Sequence, residues 1–424
     1  MQENTIEIAS LDMEARGVGH LQNEDGTPGK VVFVEGALPG ELVSFQPQKR
    51  KAKWETATLT EIHRESAQRV RPACPSFGIC GGCVMQHFEP SAQVAVKQRV
   101  LEDNLKHIGK VKPETMLRPI YGPTWGYRYR ARISVRHVVK KGSVLVGFHE
   151  RKSHFITDMK SCEVLPRHVS DMLVPLRELI ASLTIIDKMP QIELAVGEGE
   201  HGLITAMVLR IMAPLTPEDE QKLKVFADRY QVQWWLQPAG PDSAYQYYPT
   251  DTRLQYLLPE FGIRMPFKPT DRVADLFCGL GNFTLPLATR AREVVGIEGS
   301  STLTDRALDN ARENGVSEKT TFYCRNLFEL SVDDWVALGK FDRLLIDPPR
   351  EGAFAVVQAI AALGEERKAY RPHRIVYVSC APATLARDAD VLVHQAGYVM
   401  KHAGVVNMFP HTSHVESIAV FEMV

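Results

Sequence analysis

The sequence predicts a multidomain protein of the α/β class, in which a β-rich N-terminal region and a basic central region precede a half built on a parallel sheet. Three observations predict it: short strands between glycine and proline turns at the N-terminus, three cysteines and a run of arginines in the centre, and alternating strand and helix patterns from Val273 onward. A chain of 424 residues has room for two to four domains. We place the domains at 1–62, 63–268 and 269–424.

Composition excludes several classes of protein. Apolar residues make up 44% of the chain and charged residues 24%, which is typical of a globular protein. No apolar run approaches the roughly 18 residues that a membrane span requires. The N-terminus lacks the basic start and apolar stretch of a secretory signal, so we expect a cytoplasmic protein without membrane contact.

The near-neutral net charge of −1 hides a basic segment. From Lys97 to Lys160 there are 15 Lys and Arg residues against 5 Asp and Glu residues. Such a surplus favours a polyanionic partner.

The N-terminal region shows four strand-like runs, IEIASLDM, KVVFVEG, ELVSFQPQK and WETATLTEI, separated by turns such as GVGH and ALPG. Several short strands at this spacing predict a small β-barrel. The loop before the last run combines four cations with an aromatic ring: Lys49, Arg50, Lys51, Lys53 and Trp54. This loop is either a nucleic-acid contact or a solvated basic loop.

The central region begins with a cysteine-rich loop and a helix, which we predict from Ser91 to about Ile108 with Val94, Leu101 and Leu105 on one face. The later run GYRYRARISVR places four arginines at a spacing of two or a multiple of two, on one face of a strand: Arg128, Arg130, Arg132 and Arg136. Because neighbouring guanidinium groups repel one another, this face predicts an RNA or DNA contact. The alternative is a solvated or internally paired face.

Four cysteines are spaced as cluster ligands. Cys74, Cys80 and Cys83 lie in a loop rich in proline and glycine, and Cys162 follows about eighty residues later. Four thiolates of this kind can hold a [4Fe-4S] cluster. Tetrahedral zinc is the competing interpretation, but zinc sites usually show two CxxC-like pairs and only one is present.

In the C-terminal half, five runs (RVADLFC, EVVGIEG, TTFYCRN, FDRLLIDPP and RIVYVSC) predict the strands of a doubly wound parallel sheet. The first ends in a glycine turn with Gly279 and Gly281, and the second ends at Glu298, where a carboxylate can bind ribose hydroxyl groups. The third glycine of a dinucleotide site is absent. The pattern therefore favours an adenosyl cofactor such as S-adenosylmethionine over NAD.

Asp347 begins the sequence Asp-Pro-Pro-Arg at the end of the fourth strand. Two prolines make a rigid turn at the edge of the sheet where ligands bind. The turn either binds a planar nitrogenous substrate, as in methyltransferases that act on flipped bases, or is a stiff surface turn.

Cys380 follows the fifth strand and precedes a helix, whose dipole should lower the thiol pKa and favour a nucleophile. Cys278 and Cys324 lack this setting and are predicted to be buried, inert thiols.

Glu416 enters an otherwise apolar final strand, where burial would raise its pKa into the range of a proton acceptor. For the nearby His411 and His414, a structural or solvent-facing role is favoured over a role in the pocket.

Together these motifs, above all SCAPATLARD and HVESIAVF, resemble the bacterial uridine-C5 RNA methyltransferases, specifically the type that methylates 23S ribosomal RNA. The resemblance covers essentially the whole chain. It implies an N-terminal OB-like β-barrel of the TRAM type, a central α+β domain with an iron–sulfur loop, and a C-terminal Rossmann-like class I methyltransferase domain. It also implies 23S ribosomal RNA as the partner, and we expect a monomer.

The resemblance implies a role for each motif. Cys380 would add to C6 of uracil, which makes C5 nucleophilic enough to take the methyl group of S-adenosylmethionine, and Glu416 would remove the C5 proton. Cys74, Cys80, Cys83 and Cys162 would bind a [4Fe-4S] cluster. The S-adenosylmethionine pocket or its border with the uracil would be lined by Phe277, Asn282, Glu298, Asn326 and Asp347.

One departure from the family pattern lies before Val273. The family places a Phe-x-Gln-x-Asn element and a helix of about twenty residues there, whereas MPFKPTD runs directly into RVADLF. Loss of that helix should expose apolar surface and weaken cofactor binding. The alternative function is therefore a catalytically impaired RNA-binding iron–sulfur protein. An iron–sulfur redox protein is less favoured, because the sequence shows no flavin or nicotinamide site.

Overall fold

A computed structural model describes residues 4–23, 25–199, 202–250 and 268–423. The chain forms two compact units that alternate along the sequence. The first comprises 1–90, 122–260 and 410–412, and the second comprises 91–121, 261–409 and 413–424. None of the helices in the described ranges combines the length and the apolar composition needed to cross a bilayer.

The first unit opens with a six-stranded sheet. Its strands in chain order are β1 (Thr5–Glu7), β2 (Ser10–Leu11), β3 (Gly17–Gln22), β4 (Pro28–Glu35), β5 (Leu42–Arg50) and β6 (Trp54–Arg64), and their order in the sheet is β1-β5-β6-β4-β3-β2. Alternating side chains on one face, including Val32, Val34 and Val43, form a small core.

The interpretation of GVGH as a turn was wrong, because these residues begin β3. The reason is the packing around the two glycines. A Cβ atom on Gly19 would lie 2.6 Å from the carbonyl oxygen of Glu7, and one on Gly17 would lie 2.9 Å from a methyl group of Ile8. Glycine here permits close approach of the first segment, which is a function it can serve inside a strand.

The predicted helix of the central region is present as α1 (Pro90–His107), and its residues from Ser91 onward belong to the second unit. Val94, Leu101 and Leu105 are buried on one face, as predicted, together with Gln93 and Lys97. Two short strands follow, β7 (Thr115–Met116) and β8 (Ile120–Tyr121), and both pair with a strand near the C-terminus.

The rest of the first unit is a second six-stranded sheet with two helices. Its elements are β9 (Arg130–Val138), β10 (Ser143–Gly147), α2 (Arg167–Ser182), β11 (Gln191–Gly199), β12 (Gly202–Arg210), α3 (Pro217–Tyr230), β13 (Val232–Gln237) and β14 (Tyr245–Tyr248). The strand order is β10-β9-β11-β12-β13-β14. Trp234 is fully buried, and its indole nitrogen donates to the carbonyl oxygen of Leu223.

The second unit is built on a nine-stranded sheet, and all five predicted strands are present. Its strands are β15 (Arg272–Leu276), β16 (Glu293–Glu298), β17 (Thr320–Cys324), β18 (Arg343–Ile346), β19 (Arg374–Ser379), β20 (Tyr398–Asn407) and β21 (Glu416–Met423), together with β7 and β8. The helices are α4 (Thr284–Ala288), α5 (Ser301–Glu313), α6 (Val332–Ala337), α7 (Phe354–Ala361) and α8 (Pro382–His394). The main strand order is β17-β16-β15-β18-β19-β21-β20-β7, and the first five strands are parallel. The predicted doubly wound sheet is confirmed.

The two faces of this sheet are covered unequally. One face carries the large core that contains Trp335, Tyr377 and Tyr398. On the other face, Val378, Ile418 and Val420 of β19 and β21 are only partly buried. The missing family element was expected to uncover apolar surface. The stretch Met265–Phe267, where it would begin, lies outside the described residues.

Candidate active site

The glycine turn after β15 adopts a tight conformation at the carboxyl edge of the sheet. Gly279 and Gly281 have positive φ angles of 54° and 86°, which glycine adopts without strain. Phe277 also has a positive φ, at 62°, and its amide nitrogen donates to the carbonyl oxygen of Ile297 at 2.9 Å. Its ring lies 5.5 Å from that of Phe328, measured between centroids. The turn therefore presents an aromatic ring at this edge.

Glu298, predicted as the ribose-binding carboxylate, lies at the end of β16 and is held by backbone amides. Its Oε2 accepts from the N–H of Gly279 at 3.1 Å, and its Oε1 accepts from those of Gly299 and Ser300 at 2.8 and 3.2 Å. The carboxylate thus links the loops after β15 and β16. These bonds fix the side chain before any ligand is present.

The two predicted asparagines lie in the neighbouring loops. Asn326 follows β17, and its side chain accepts from the N–H of Phe328 at 3.1 Å, which caps a short helical turn. Asn282 is exposed in the glycine turn. Both positions are at the carboxyl edge of the sheet, where ligands of this architecture bind.

Asp275 is a buried carboxyl group to which the sequence interpretation assigned no role. It has no exposed surface, accepts a 2.5 Å hydrogen bond from the hydroxyl group of Thr284, and has no partner for Oδ1 among the described residues. Burial is the main cause that raises its pKa to about 7, and the charges of Asp347 and Glu298 raise it further. In the sequence, Asp275 could have been recognised as a carboxylate at the end of an apolar strand.

Cys380 and Glu416 are brought together by the pairing of β19 with β21. Ser379 is the register partner of Ser417 in this antiparallel pair, so the next residue, Cys380, comes opposite Glu416. Burial raises the pKa of Glu416 to about 7, the charge of Asp347 raises it too, and Arg350 and Lys97 lower it. The predicted proton acceptor therefore lies beside the predicted nucleophile, with the expected direction of pKa shift.

The expected lowering of the Cys380 pKa was wrong. The thiol is partly buried, and desolvation raises its pKa. The carboxylates of Glu416 and Asp347 raise it further, whereas a backbone amide and Arg350 lower it, and the net shift is upward. The helix that follows Cys380 is close in sequence, but burial of the thiol is the largest effect on its pKa.

The Asp-Pro-Pro-Arg turn follows β18 at the same edge of the sheet. The amide nitrogen of Asp347 donates to the carbonyl oxygen of Leu276, and burial raises the pKa of the Asp347 carboxyl group. The Arg350 guanidinium donates to Nδ1 of His414 at 3.1 Å. The turn thus adds a carboxyl group and a cation to the surroundings of Cys380.

A buried network that the sequence interpretation missed supports this turn. Oδ2 of Asp388, on α8, accepts from the amide of Ala353 at 2.8 Å and from the hydroxyl group of Tyr377 at 2.6 Å. Oδ1 accepts from Arg387, which also donates to the carbonyl oxygen of Glu351. The helix after Cys380 is therefore connected to the loop after Asp347. Asp388 ends the SCAPATLARD motif, but its partners are remote in sequence.

In the first unit, the four predicted cluster ligands line one cavity. Cys74, Cys80, Cys83 and Cys162 are each 5–9% exposed, and the cavity measures about 20 Å³. Burial raises the pKa of Cys83 to about 11 and that of Cys162 to about 12. Among the residues that the structure describes, no group of three or more Cys, His, Asp or Glu side chains is placed to hold a metal ion.

Hydrogen-bond donors and one cation surround these sulfur atoms. The amide of Gly82 donates to Sγ of Cys80 at 3.4 Å, and Arg128 lines the cavity. Thr157 lies beside Cys80, and its buried hydroxyl group has no partner of normal geometry in the described part of the chain. These groups favour thiolates over thiols.

The arginine strand is present as β9, with one correction. Arg130, Arg132 and Arg136 lie on its exposed face, alternating with buried Ala131 and Ile133. Arg132 pairs with Glu193 of β11 at 3.0 Å. Arg128 precedes the strand and is not on this face, because its guanidinium lies at the cysteine cavity, 5.8 Å from the ring centroid of Phe148.

The remaining cysteines and histidines divide between buried and exposed positions. Cys278 is buried, as predicted, but Cys324 is exposed, because it ends the edge strand β17. In the first unit, His411 is buried and stacks on Trp125 with ring centroids 3.9 Å apart. His414 is exposed and accepts from Arg350. These placements agree with structural or solvent-facing histidines.

Comparison with known proteins places this arrangement in a family. A family described as tRNA (Uracil-5-)-methyltransferase matches residues 258–423. The 23S rRNA (uracil(1939)-C(5))-methyltransferase RlmD of Cupriavidus pinatubonensis is 62% identical over 443 positions, covering 98% of this chain and 95% of the relative. This chain belongs to the RlmD family of uracil-C5 RNA methyltransferases. RlmD of Ralstonia nicotianae is also 62% identical, over 446 positions, with 98% of each chain covered.

The fold has a solved counterpart. The tRNA (uracil-54, C5)-methyltransferase of Pyrococcus abyssi, in complex with S-adenosyl-L-homocysteine, aligns with 98% of this chain and all of that chain, with a TM-score of 0.67 and 22% identity. The RlmD alignment from Cupriavidus is also informative about length. Its 443 positions exceed the 424 residues of this chain, so at least 19 positions have no counterpart here. As a member of the RlmD family, the chain is an S-adenosylmethionine-dependent methyltransferase.

Proposed function

We propose that this protein methylates C5 of a specific uridine in 23S ribosomal RNA through a covalent bond between Cys380 and C6 of the base. One observation carries the proposal: the pairing of β19 with β21 brings the thiol of Cys380 opposite the carboxyl group of Glu416. Asp347 and Arg350 complete a set of charged groups around them. RlmD relatives that are more than 60% identical over nearly their whole length support the choice of RNA.

In the first step the Cys380 thiolate adds to C6 of uracil, and the electron pair of the C5–C6 bond moves to form an enolate. C5 of the enolate then takes the methyl group that S-adenosylmethionine supplies, which leaves S-adenosylhomocysteine. Glu416 accepts the proton from C5, the C5–C6 double bond reforms, and the C6–S bond breaks to release the Cys380 thiolate. The net products are 5-methyluridine, S-adenosylhomocysteine and one proton.

The thiol must lose its proton before it can add, although burial and two carboxylates raise its pKa. Arg350 opposes this effect, because its charge stabilises the thiolate. Binding of a sulfonium cofactor brings a further positive charge into the site and acts in the same direction. Cofactor binding is therefore expected to precede attack on the base.

The S-adenosylmethionine pocket is assigned to the loops after β15, β16, β17 and β18. Glu298 would bind the ribose, since its carboxylate is already oriented by three amides. Phe277 and Asn282 of the glycine turn, Asn326 and Asp347 would complete the pocket and its border with the uracil. These positions share the carboxyl edge of the sheet, where ligands of this architecture bind.

RNA binding is assigned to the first unit. Arg130, Arg132 and Arg136 present three guanidinium groups on the exposed face of β9, where phosphates can bind. The six-stranded N-terminal sheet is proposed to be an OB-like barrel of the TRAM type. The basic residues before Trp54 are a second proposed RNA contact, with the correction that Lys49 and Arg50 end β5 and only Lys51 and Lys53 lie in the loop. Lys49 lies 5.9 Å from the Trp54 ring centroid. The domain boundaries at 1–62, 63–268 and 269–424 remain part of this proposal.

The four cysteines are proposed to bind a [4Fe-4S] cluster, for which their chemistry is suitable. Zinc would need all four sulfur atoms to converge on one point, and the described side chains are not placed in that way. In a cluster each cysteine ligates a different iron, so the sulfur atoms remain apart. The cavity is small, so the loop would have to open around a cluster. With four thiolates closing every iron, its role would be structural.

The alternative, a catalytically impaired RNA-binding iron–sulfur protein, is not favoured. The nucleophile, the proton acceptor and the cofactor loops are all present, and the RlmD relatives match 98% of the chain. A single chain supplies this whole set of residues, so a monomer suffices. The missing Phe-x-Gln-x-Asn element would bear on cofactor affinity rather than on the bond-making groups.

The decisive experiment is incubation of the protein with unmodified 23S RNA and methyl-labelled S-adenosylmethionine, beside the variant Cys380→Ala. We expect one labelled 5-methyluridine per RNA with the natural chain and none with the variant. Equal labelling by both would disprove the role of Cys380, and no labelling by either would disprove the activity. For the cluster, anaerobic purification should give iron, sulfide and visible absorption, whereas stoichiometric zinc would disprove it.

A further inference from the structure

Lys97 is a lysine buried in the second unit. It lies on α1, outside the residues that match the family profile, and only 2% of its surface is exposed. Its ammonium group donates to Oδ1 of Asn407 at 3.1 Å and to the carbonyl oxygen of Phe409 at 2.8 Å. A buried lysine is costly unless its charge is compensated, so its retention requires a reason.

The acceptors of Lys97 lie at the end of β20, next to the strand that carries the proton acceptor. Val406 of β20 is the register partner of Glu416 on β21, and Asn407 is the following residue. The ammonium group therefore fixes the backbone beside Glu416. It also interacts electrostatically with the Glu416 carboxylate. Burial lowers the pKa of Lys97 to about 8, so Lys97 is charged below that pH, where the acid limb of Glu416 lies.

We propose that Lys97 is a positioning residue for Glu416, which fixes the end of β20 beside the carboxylate and holds a positive charge there. This inference rests on the proposed function. The other charged or titratable groups around Glu416 are Asp347 and Arg350 on the loop after β18, Cys380 after β19, and His414, which Arg350 contacts. Arg350 lies on an exposed loop and lowers the pKa of Glu416 more than Lys97 does, whereas Lys97 is buried, so its charge is screened less by salt.

The sign of the effect follows from the charges. The positive charge of Lys97 favours the carboxylate form of Glu416, so its removal raises the pH at which Glu416 loses its proton. The acid limb of the methylation pH profile should then move upward by about half to one pH unit, which lowers the rate on that limb about three- to tenfold. Attack by Cys380 should not become slower, because it does not require Glu416 as a base.

Two uncharged variants and two controls test this inference. Lys97→Met removes the charge and both hydrogen bonds, Lys97→Gln removes the charge but keeps an N–H donor, and Lys97→Arg should restore the natural profile. Lys106→Met, at an exposed position on the same helix, is the matched control. Each protein is assayed for methylation between pH 5.5 and 9 with 23S RNA. Each is also assayed for a covalent adduct with 23S RNA transcribed with 5-fluorouridine. This base carries fluorine at C5 in place of the hydrogen that a base removes as a proton, so the adduct cannot be released.

We expect both uncharged variants to form the fluorouridine adduct at the natural rate and to show the shifted acid limb. Lys106→Met should form the adduct at the natural rate and show no shift of the acid limb. An unshifted limb in a folded variant, or an equal loss of adduct formation and methylation, would overturn the inference. If Lys97→Met does not fold, Lys97→Gln decides. Absence of the adduct and of methylation in the natural protein would instead overturn the proposed function.

Discussion

The carboxylate of Asp388 accepts a 2.6 Å hydrogen bond from the hydroxyl group of Tyr377, and both side chains are fully buried. The same oxygen accepts from the amide of Ala353, five residues after the Pro348 of the Asp-Pro-Pro turn. These two bonds therefore connect β19, the loop after β18 and the helix that follows Cys380. These three segments carry the nucleophile and two of its charged neighbours.

Replacing Tyr377 by Phe removes this bond and the 3.0 Å bond that the Tyr377 oxygen accepts from the amide of Ala353, with little change in side-chain shape. The free energy of unfolding should fall by about 1–2 kcal/mol, because a buried charge-assisted hydrogen bond is lost while Asp388 keeps its other donors. Denaturant unfolding measures the change. Tyr323→Phe, at an exposed position in the same unit, should leave stability unchanged. Equal midpoints for all three proteins would show that the bond contributes nothing.

Gly352→Ala should disturb the same loop from the backbone side. Gly352 has a φ of 80°, and an added Cβ atom would lie 2.6 Å from Nη2 of Arg387 and 2.8 Å from Oδ2 of Asp388. We expect a destabilisation of about 1–3 kcal/mol from the backbone conformation and the clash, with a lower methylation rate. Gly364→Ala is the control, since its φ is −66° and its Cβ position is open. Equal effects at both positions would contradict this account.

Part of the fold and of the candidate site could be predicted from the sequence. The five parallel strands, α1 and the positions of Cys380 after the fifth strand and Glu416 in the final strand follow from local patterns, because apolar runs and strand ends are local properties. The raised pKa of Cys380 could not be predicted, since it depends on the burial of the thiol and on Glu416 and Asp347, all of which the fold determines. The acceptor of Lys97 is 310 residues away in the chain. GVGH was misread because glycine serves both turns and close packing.

Asp275 should make stability depend on pH. Its folded pKa is raised to about 7, so the native state holds a proton that the unfolded chain loses near pH 4. Stability from this group is complete below about pH 4 and is lost as the pH rises to about 7, at most by roughly 1.4 kcal/mol per pH unit.

The variant Asp275→Asn isolates this contribution. It keeps an oxygen that can accept from Thr284 but does not titrate, so its unfolding free energy should vary less between pH 4 and 7. Asp305→Asn, at an exposed position on α5, is the control and should follow the natural chain. Unfolding at several pH values measures the difference. A variant curve parallel to that of the natural chain would show that Asp275 is ionised throughout.

Arg128 and Arg136 are close in sequence, but we expect replacement of Arg128 to impair cluster binding and replacement of Arg136 to impair RNA binding. Arg128 lines the cysteine cavity, so Arg128→Ala should lower iron content and speed cluster loss in air, because its charge stabilises thiolates. Arg136 is on the exposed face of β9, so Arg136→Ala should weaken RNA binding and reduce the salt slope of log K by about 1. Iron assays and RNA titrations at several salt concentrations test both. Identical changes in the two variants would contradict the separation of roles.

Glu416→Gln should stop the reaction between methyl transfer and release. The carboxylate is needed to accept the C5 proton, and without it Cys380 stays bonded to C6 after C5 has received its methyl group. A protein–RNA complex that carries the methyl label and survives denaturing electrophoresis should therefore accumulate with natural RNA, and none should form with Cys380→Ala. In the unaltered protein the same complex should accumulate as the pH falls through about 7, because Glu416 then holds a proton and cannot accept another. Normal release of methylated RNA by Glu416→Gln would assign the proton to another base.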